Sequence, residues 1–203
     1  MRLLVALLAG YVIGSIPFAV LLARRRGGFD VRREGTQNPG ATNVYKNVGR
    51  MAGAAVGLLD YFKALVPALL AWHLLGSSLS EAGAIAVGAV LGHDFSMFLG
   101  FRGGKGGAST LGAFTFLDFP ALLAAGVLWA VGLAALRGRR FIAGPIALTS
   151  FPVLVALHRL PRLADLIPGA APGSSPAPVL VAAGLVALLW ARILPEHLGA
   201  EPR

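Results

Sequence analysis

The sequence contains no cysteine, which excludes disulfide scaffolds, thiolate metal sites and cysteine nucleophiles. It is also short of charge. Only 13% of its 203 residues are Asp, Glu, Lys or Arg, about half the share in soluble domains, and a soluble chain so composed would leave most of its apolar surface in water. Acidic residues are scarcest, 9 against 18 Lys and Arg, for a net charge of +9. No long basic tail and no basic stripe interleaved with aromatics goes with that charge, so nucleic acid is not the implied partner. The four histidines include no pair at metal-ligand spacing, so no metal site or cofactor is expected. His73, His158 and His197 lack any acidic or histidine neighbour at ligand spacing and read as interfacial. No Ser-His-Asp arrangement and no internal repeat is evident.

What the chain has in abundance is apolar sequence: 56% of its residues are hydrophobic, and mean hydropathy is +0.73. Apolar stretches fall at 3–23, 52–75, 82–99, 108–117, 119–136, 141–158 and 178–194. A crossing takes about 20 residues, so the expected fold is an all-α integral membrane protein, a compact bundle of about seven transmembrane helices in a single domain over 1–203. The 108–117 stretch is too short to cross alone and must be tilted, extended or re-entrant. Leu3–Leu22, followed by Arg24, Arg25 and Arg26, reads as a first span and not as a cleaved signal. The loops at 24–50, 100–107 and 137–140 are basic. Seven crossings put all three on one side with the C-terminus, and the positive-inside rule makes that side cytoplasmic and the N-terminus external. The Gly/Pro/Ser-rich segment Pro168–Pro178 reads as a flexible external loop.

Three segments carry polar chemistry. Gly35-Thr36-Gln37-Asn38-Pro39-Gly40-Ala41-Thr42-Asn43, followed by Lys46, combines two glycines with five hydrogen-bonding side chains. Such a segment is either an anion-binding nest or an ordinary polar loop. Gly92-His93-Asp94-Phe95 leads to Phe101-Arg102-Gly103-Gly104-Lys105-Gly106-Gly107-Ala108-Ser109-Thr110. There, free glycine amides, one ammonium and a helix start suit phosphate, although the Walker A spacing is absent. Asp60 and Lys63 share a helix face inside an apolar stretch. Ionisable groups so placed face a bundle interior or an aqueous cavity, as a functional or a structural pair. His93 could orient a substrate oxygen. Asp118 marks the break between two short apolar stretches and receives no role.

At these segments the chain resembles the bacterial acyl-phosphate–glycerol-3-phosphate acyltransferases, the PlsY family. The match is good over roughly 9–117 and rests on Gly14-Ser15-Ile16-Pro17, Asn38-Pro39-Gly40-Ala41-Thr42-Asn43-Val44, Leu59-Asp60 with Lys63, and Gly92-His93 through Gly103-Gly104-Lys105-Gly106. The resemblance implies a seven-helix bundle in the bacterial plasma membrane, its active site at the cytoplasmic face. It implies transfer of an acyl group from acyl phosphate to the 1-hydroxyl of glycerol 3-phosphate, with an acyl-phosphate-producing enzyme as a candidate partner beside the membrane lipids. It implies Lys105, His93 and Thr36 as catalytic groups, and Gly35, Asn38, Gly40, Thr42, Asn43, Lys46, Arg102, Gly103, Gly104, Gly106 and Ser109 as substrate-binding, with Asp60 and Lys63 in support. Thr36 stands where the family has Ser, Lys46 where it has Arg, and Gly107-Ala108-Ser109 where it has Val-Ala-Thr. Phe141-Ile142-Ala143-Gly144 lacks the family's hydroxyl. The C-terminal Asn-Ile-x-Arg-Leu-like motif is not recognisable in Trp190–Arg203, although Glu196 and His197 fall there. The alternative is a phospholipid- or phosphate-binding or transport protein of the same fold, without this turnover or with altered specificity.

Overall fold

The computed structural model describes residues 1–135, 140–159 and 177–197, with side chains except those of 140–147 and 195–197. Among these residues all regular structure is helical. In chain order the helices are α1 (Arg2–Gly14), α2 (Phe18–Gly27), α3 (Ala41–Asn47), α4 (Arg50–His73), α5 (Leu79–Asp94), α6 (Gly107–Leu117), α7 (Phe119–Ala135), α8 (Arg140–His158) and α9 (Ala177–His197). Single 3-10 turns lie at Val31–Arg33 and Met97–Leu99. The chain packs as two units, Met1–Phe116 with Arg192–Arg203, and Leu117–Ala191.

Arg2–Gly27, Arg50–His73, Leu79–Leu99 and Ala177–Leu194 are long and apolar enough to cross a bilayer, and Gly107–Leu117, Phe119–Ala135 and Leu148–His158 are shorter apolar helices. Together they fall on the seven apolar stretches of the sequence. At 11 residues, α6 rises only about 16 Å, half the hydrocarbon thickness, as its length required. Two features depart from the expected pattern. The first apolar stretch is broken at Ser15–Pro17, and the polar loop after it contains the short helix α3.

In the first unit, α1 and α5 meet through glycines. Gly10 and Gly14 lie one turn apart on α1, Gly88 and Gly92 one turn apart on α5. A Cβ at Gly10 would enter the backbone of Ile85, and at Gly14 that of Ala89. Conversely, Gly88 lies against Leu7 and Tyr11, and Gly92 against Tyr11 and Ser15. Lipid solvates apolar side chains as well as protein does, so helices in a bilayer associate by close backbone packing at small residues.

Pro17 breaks the first stretch because it has no N–H to continue the helical ladder. Polar bonds secure the break. Ser15 Oγ donates to Tyr11 O at 2.8 Å, Ser96 Oγ to Ser15 O at 2.6 Å, and Tyr11 Oη to Phe95 O at 2.7 Å. The end of α5 is thereby tied to the end of α1. After α2, Asp30 accepts from Arg24 at 3.0 Å and Arg32 at 2.7 Å, which holds its carboxyl well below the usual carboxylate range, the Arg32 hydrogen bond contributing most. Val31, Val44, Ala19, Val20, Ala23, Ala52 and Val56 form the buried core beneath this loop.

In the second unit, Asp118 sits between α6 and α7 and has a role that the sequence does not disclose. Its Oδ1 accepts from Ala121 N at 3.0 Å, capping α7, and from His158 Nδ1 at 2.8 Å. His158 is therefore not an interfacial group: it is buried, and its acidic partner lies forty positions away. The basic loop at 137–139 and the segment 160–176, which holds most of Pro168–Pro178, lie outside the described residues.

Candidate active site

The first polar segment is organised by Asn43. Its Nδ2 donates to Val31 O and Glu34 O, both at 2.9 Å, and its Oδ1 accepts from Thr36 N at 3.1 Å and Asn47 Nδ2 at 2.8 Å. Two donors and two acceptor positions exhaust a side-chain amide. Asn43, 1% exposed, is therefore a scaffold that shapes the loop and not a substrate ligand, contrary to expectation. Gly35 is required twice over. Its φ is +55°, and a Cβ there would meet the Asn43 and Asn47 amides. Held this way, Thr36, Thr42 and Lys46 are exposed and Asn38 half-buried, while Pro39 and Gly40 are buried.

The second segment folds back on α5. Gly103 N donates to Asp94 O at 3.1 Å and Gly104 N to His93 O at 3.0 Å. Both amides are taken, so they do not serve as free phosphate donors, which corrects the expectation for Gly103 and Gly104. The glycines are needed for proximity instead. A Cβ at Gly103 would strike the His93 carbonyl, at Gly104 the His93 ring at Nε2, and at Gly106, with φ +76°, the Asp94 carboxylate. From the other side, Arg192 of α9 clamps the same turn. Its Nη2 donates to Gly104 O at 2.8 Å and to Gly103 O and Asp94 O at 3.3 Å, and its guanidinium lies 5.3 Å from the Phe95 ring centre. Lys105, half-buried, and exposed Arg102 flank this turn, while Ser109 is fully buried.

Between the two segments lies a cluster of ionisable groups. Lys63 Nζ is 2.8 Å from Asp60 Oδ1 and 2.8 Å from His93 Nδ1, and donates to Ile16 O at 3.3 Å. That carbonyl is accessible because the helix is broken at Pro17. His93 Nδ1 is also 3.4 Å from Asp60 Oδ1. All three side chains are buried, which is costly in a low-dielectric interior unless the charges are paired and hydrogen-bonded, as they are here. Above them is a small cleft. It is lined by Ser15 and Ile16 from the broken helix, Pro39 from the first polar segment, Gly104 from the second, and Lys63 and His93 from the cluster. The carboxylate of Asp94, 1% exposed, has no hydrogen bond among the described residues.

A family model described as glycerol-3-phosphate acyltransferase matches residues 4–196. The chain belongs to the glycerol-3-phosphate acyltransferase family. Proteins called glycerol-3-phosphate acyltransferase from Paramagnetospirillum magneticum and Gluconobacter oxydans are 37% and 39% identical, over 100% of this chain and 94% and 93% of theirs. One from Anaeromyxobacter sp. (strain Fw109-5) is 47% identical over 66% of this chain and 68% of its own. Among solved structures, the glycerol 3-phosphate form of PlsY (YgiH), an integral membrane glycerol 3-phosphate acyltransferase, superposes with a TM-score of 0.74. It is 28% identical, with 100% of this chain and 96% of that one covered. The lysophosphatidic acid form gives 0.70 and 26%, over 100% and 95%. Like PlsY, this member of the acyltransferase family is an integral membrane protein, and all regular structure among its described residues is helical.

Of the residues expected at an acyltransferase site, the structure gathers Asp60, Lys63, His93 and Gly104 at one cleft, with Lys105 adjoining. It leaves Thr36, Thr42 and Lys46 on the exposed part of the first segment, outside the lining. Arg192 went unnoticed in the sequence because no family motif is legible around it. A single arginine inside an otherwise apolar helix is nevertheless a signal, since such residues are expensive and have partners. The side chains of Glu196, His197 and Phe141–Gly144 lie outside the described residues.

Proposed function

We propose that this protein transfers a fatty acyl group from acyl phosphate to the 1-hydroxyl of glycerol 3-phosphate, releasing lysophosphatidate and phosphate, the opening step of phospholipid synthesis. Acyl phosphate is a mixed anhydride and needs no enzyme nucleophile. The hydroxyl oxygen bonds to the acyl carbon, the carbon–oxygen bond to phosphate breaks, and the hydroxyl proton leaves with the phosphate. The protein has to hold two anions close together, orient the hydroxyl and stabilise charge on the carbonyl and the leaving group.

In this reading Lys105 grips the acyl phosphate, with Arg102 and the Gly106 amide beside it. Thr36, Asn38, Thr42 and Lys46 receive glycerol 3-phosphate, and His93 addresses the reacting carbonyl. The site faces the cytoplasm, where the basic loops lie, with the N-terminus outside. The observation that carries the reading is that Pro39 and Gly104, one from each polar segment, line one cleft over the Asp60–Lys63–His93 cluster. The test is purified protein in detergent, given acyl phosphate and glycerol 3-phosphate. Lysophosphatidate and phosphate should form in equal amounts, and Lys105→Ala should lower the rate about 100-fold or more, as for loss of one preorganised charge-stabilising donor. Absence of product from folded wild-type protein, or equal rates in the two, contradicts it.

A further inference from the structure

The cluster beneath the cleft fixes more than position. Lys63 lies 2.8 Å from the Asp60 carboxylate, which keeps it an ammonium, and an ammonium has protons to donate and no lone pair to accept with. Its 2.8 Å contact to His93 Nδ1 therefore makes that nitrogen the acceptor, and the proton of the neutral imidazole resides on Nε2. That nitrogen has no hydrogen bond among the described residues and points at Gly104, where only the missing Cβ leaves room for it; the ring lines the cleft. The alternative pairing, Nδ1–H toward Asp60, is longer at 3.4 Å and is blocked while the ammonium occupies Nδ1.

We infer that Lys63 is a positioning residue that locks His93 as an Nε2–H donor, so that His93 stabilises the oxyanion growing on the acyl carbonyl and does not act as the base for the glycerol hydroxyl. Asp60 maintains the charge of Lys63, and Ile16 O, exposed by the break at Pro17, takes a further ammonium proton. The pair is thus more than a structural support. The role in acyl transfer rests on the function proposed above, whereas the protonation pattern does not. No proton leaves His93 during turnover; the hydroxyl proton departs with phosphate.

Two measurements test this. Heteronuclear NMR of the imidazole nitrogens, with the His93 signals assigned by their loss in His93→Gln, should show protonation at Nε2 alone in the wild type. In Lys63→Met, Nδ1 should gain a proton and turn to Asp60. A wild-type ring protonated at Nδ1, or an unchanged ring in Lys63→Met, overturns the inference whether or not the protein is active. The second is acyl transfer by His93→Gln, which keeps an N–H near the ε position but cannot serve as a base, beside His93→Ala. The Gln variant should retain activity to within about tenfold of wild type and the Ala variant lose about 100-fold or more. Gln and Ala variants that both fold, with the Gln form as inactive as the Ala form, would refute the donor role. A wild type that makes no product would refute the function and leave the NMR result to decide the tautomer.

Discussion

Asn43 and Arg192 show how a few side chains hold glycine-rich loops in place. Every hydrogen-bonding position of Asn43 is used within the first polar segment. Asn43→Asp takes both amide donors from the Val31 and Glu34 carbonyls and sets a buried carboxylate against them, at a cost of about 1–3 kcal/mol, which thermal unfolding in detergent will register. Arg192→Met should free the Gly103 and Gly104 carbonyls and lower kcat about tenfold or more, while fold and glycerol 3-phosphate binding persist. At Asp30 the sign of the pH effect follows from its lowered titration point. The stabilisation is fully present above the ordinary carboxylate range and is lost only as pH falls below about 4. Asp30→Asn should therefore be slightly less stable than wild type at neutral pH, by about 1 kcal/mol or less, with the gap closing in strong acid. In the sequence, residue types at these sites were legible but partners were not. Asn43 looked like a ligand because a polar amide in a loop serves scaffold and substrate equally well, and the Asp118–His158 pair was hidden because its members lie forty positions apart.

Among the elements, the apolar helices were the most legible, since a bilayer demands long runs of hydrophobic sequence and little else competes with that signal. Helix–helix packing was legible only in hindsight. Gly10, Gly14, Gly88 and Gly92 recur at four-residue spacing, but nothing in one chain says which helix meets which. Gly88→Leu should prevent the approach of α5 to α1 and yield protein that is degraded or aggregates on extraction, visible by size-exclusion chromatography. The break at Ser15–Pro17 has the opposite character: it is a local interruption that serves the site. Without Pro17 an unbroken helix would draw the Ile16 carbonyl into its own ladder, away from Lys63. Pro17→Ala should thus keep the protein folded and slow acyl transfer.

For the whole molecule, the apolar helices, the polar segments and the cleft give one picture: an integral membrane member of the glycerol-3-phosphate acyltransferase family, whose proposed anion-binding segments would lie at the inner surface. Because the native chain has no cysteine, single thiols report topology without background. Ser77→Cys should react with a membrane-impermeant maleimide on intact cells, and Arg33→Cys only after permeabilisation. The most direct measurement follows the same logic at Pro39, which lines the cleft. In a catalytically competent Pro39→Cys protein, saturating glycerol 3-phosphate, or a non-hydrolysable acyl phosphate analogue, should each slow thiol labelling at least severalfold. Labelling at one unchanged rate, with and without reactants at concentrations that saturate turnover, would mean that the chemistry happens elsewhere.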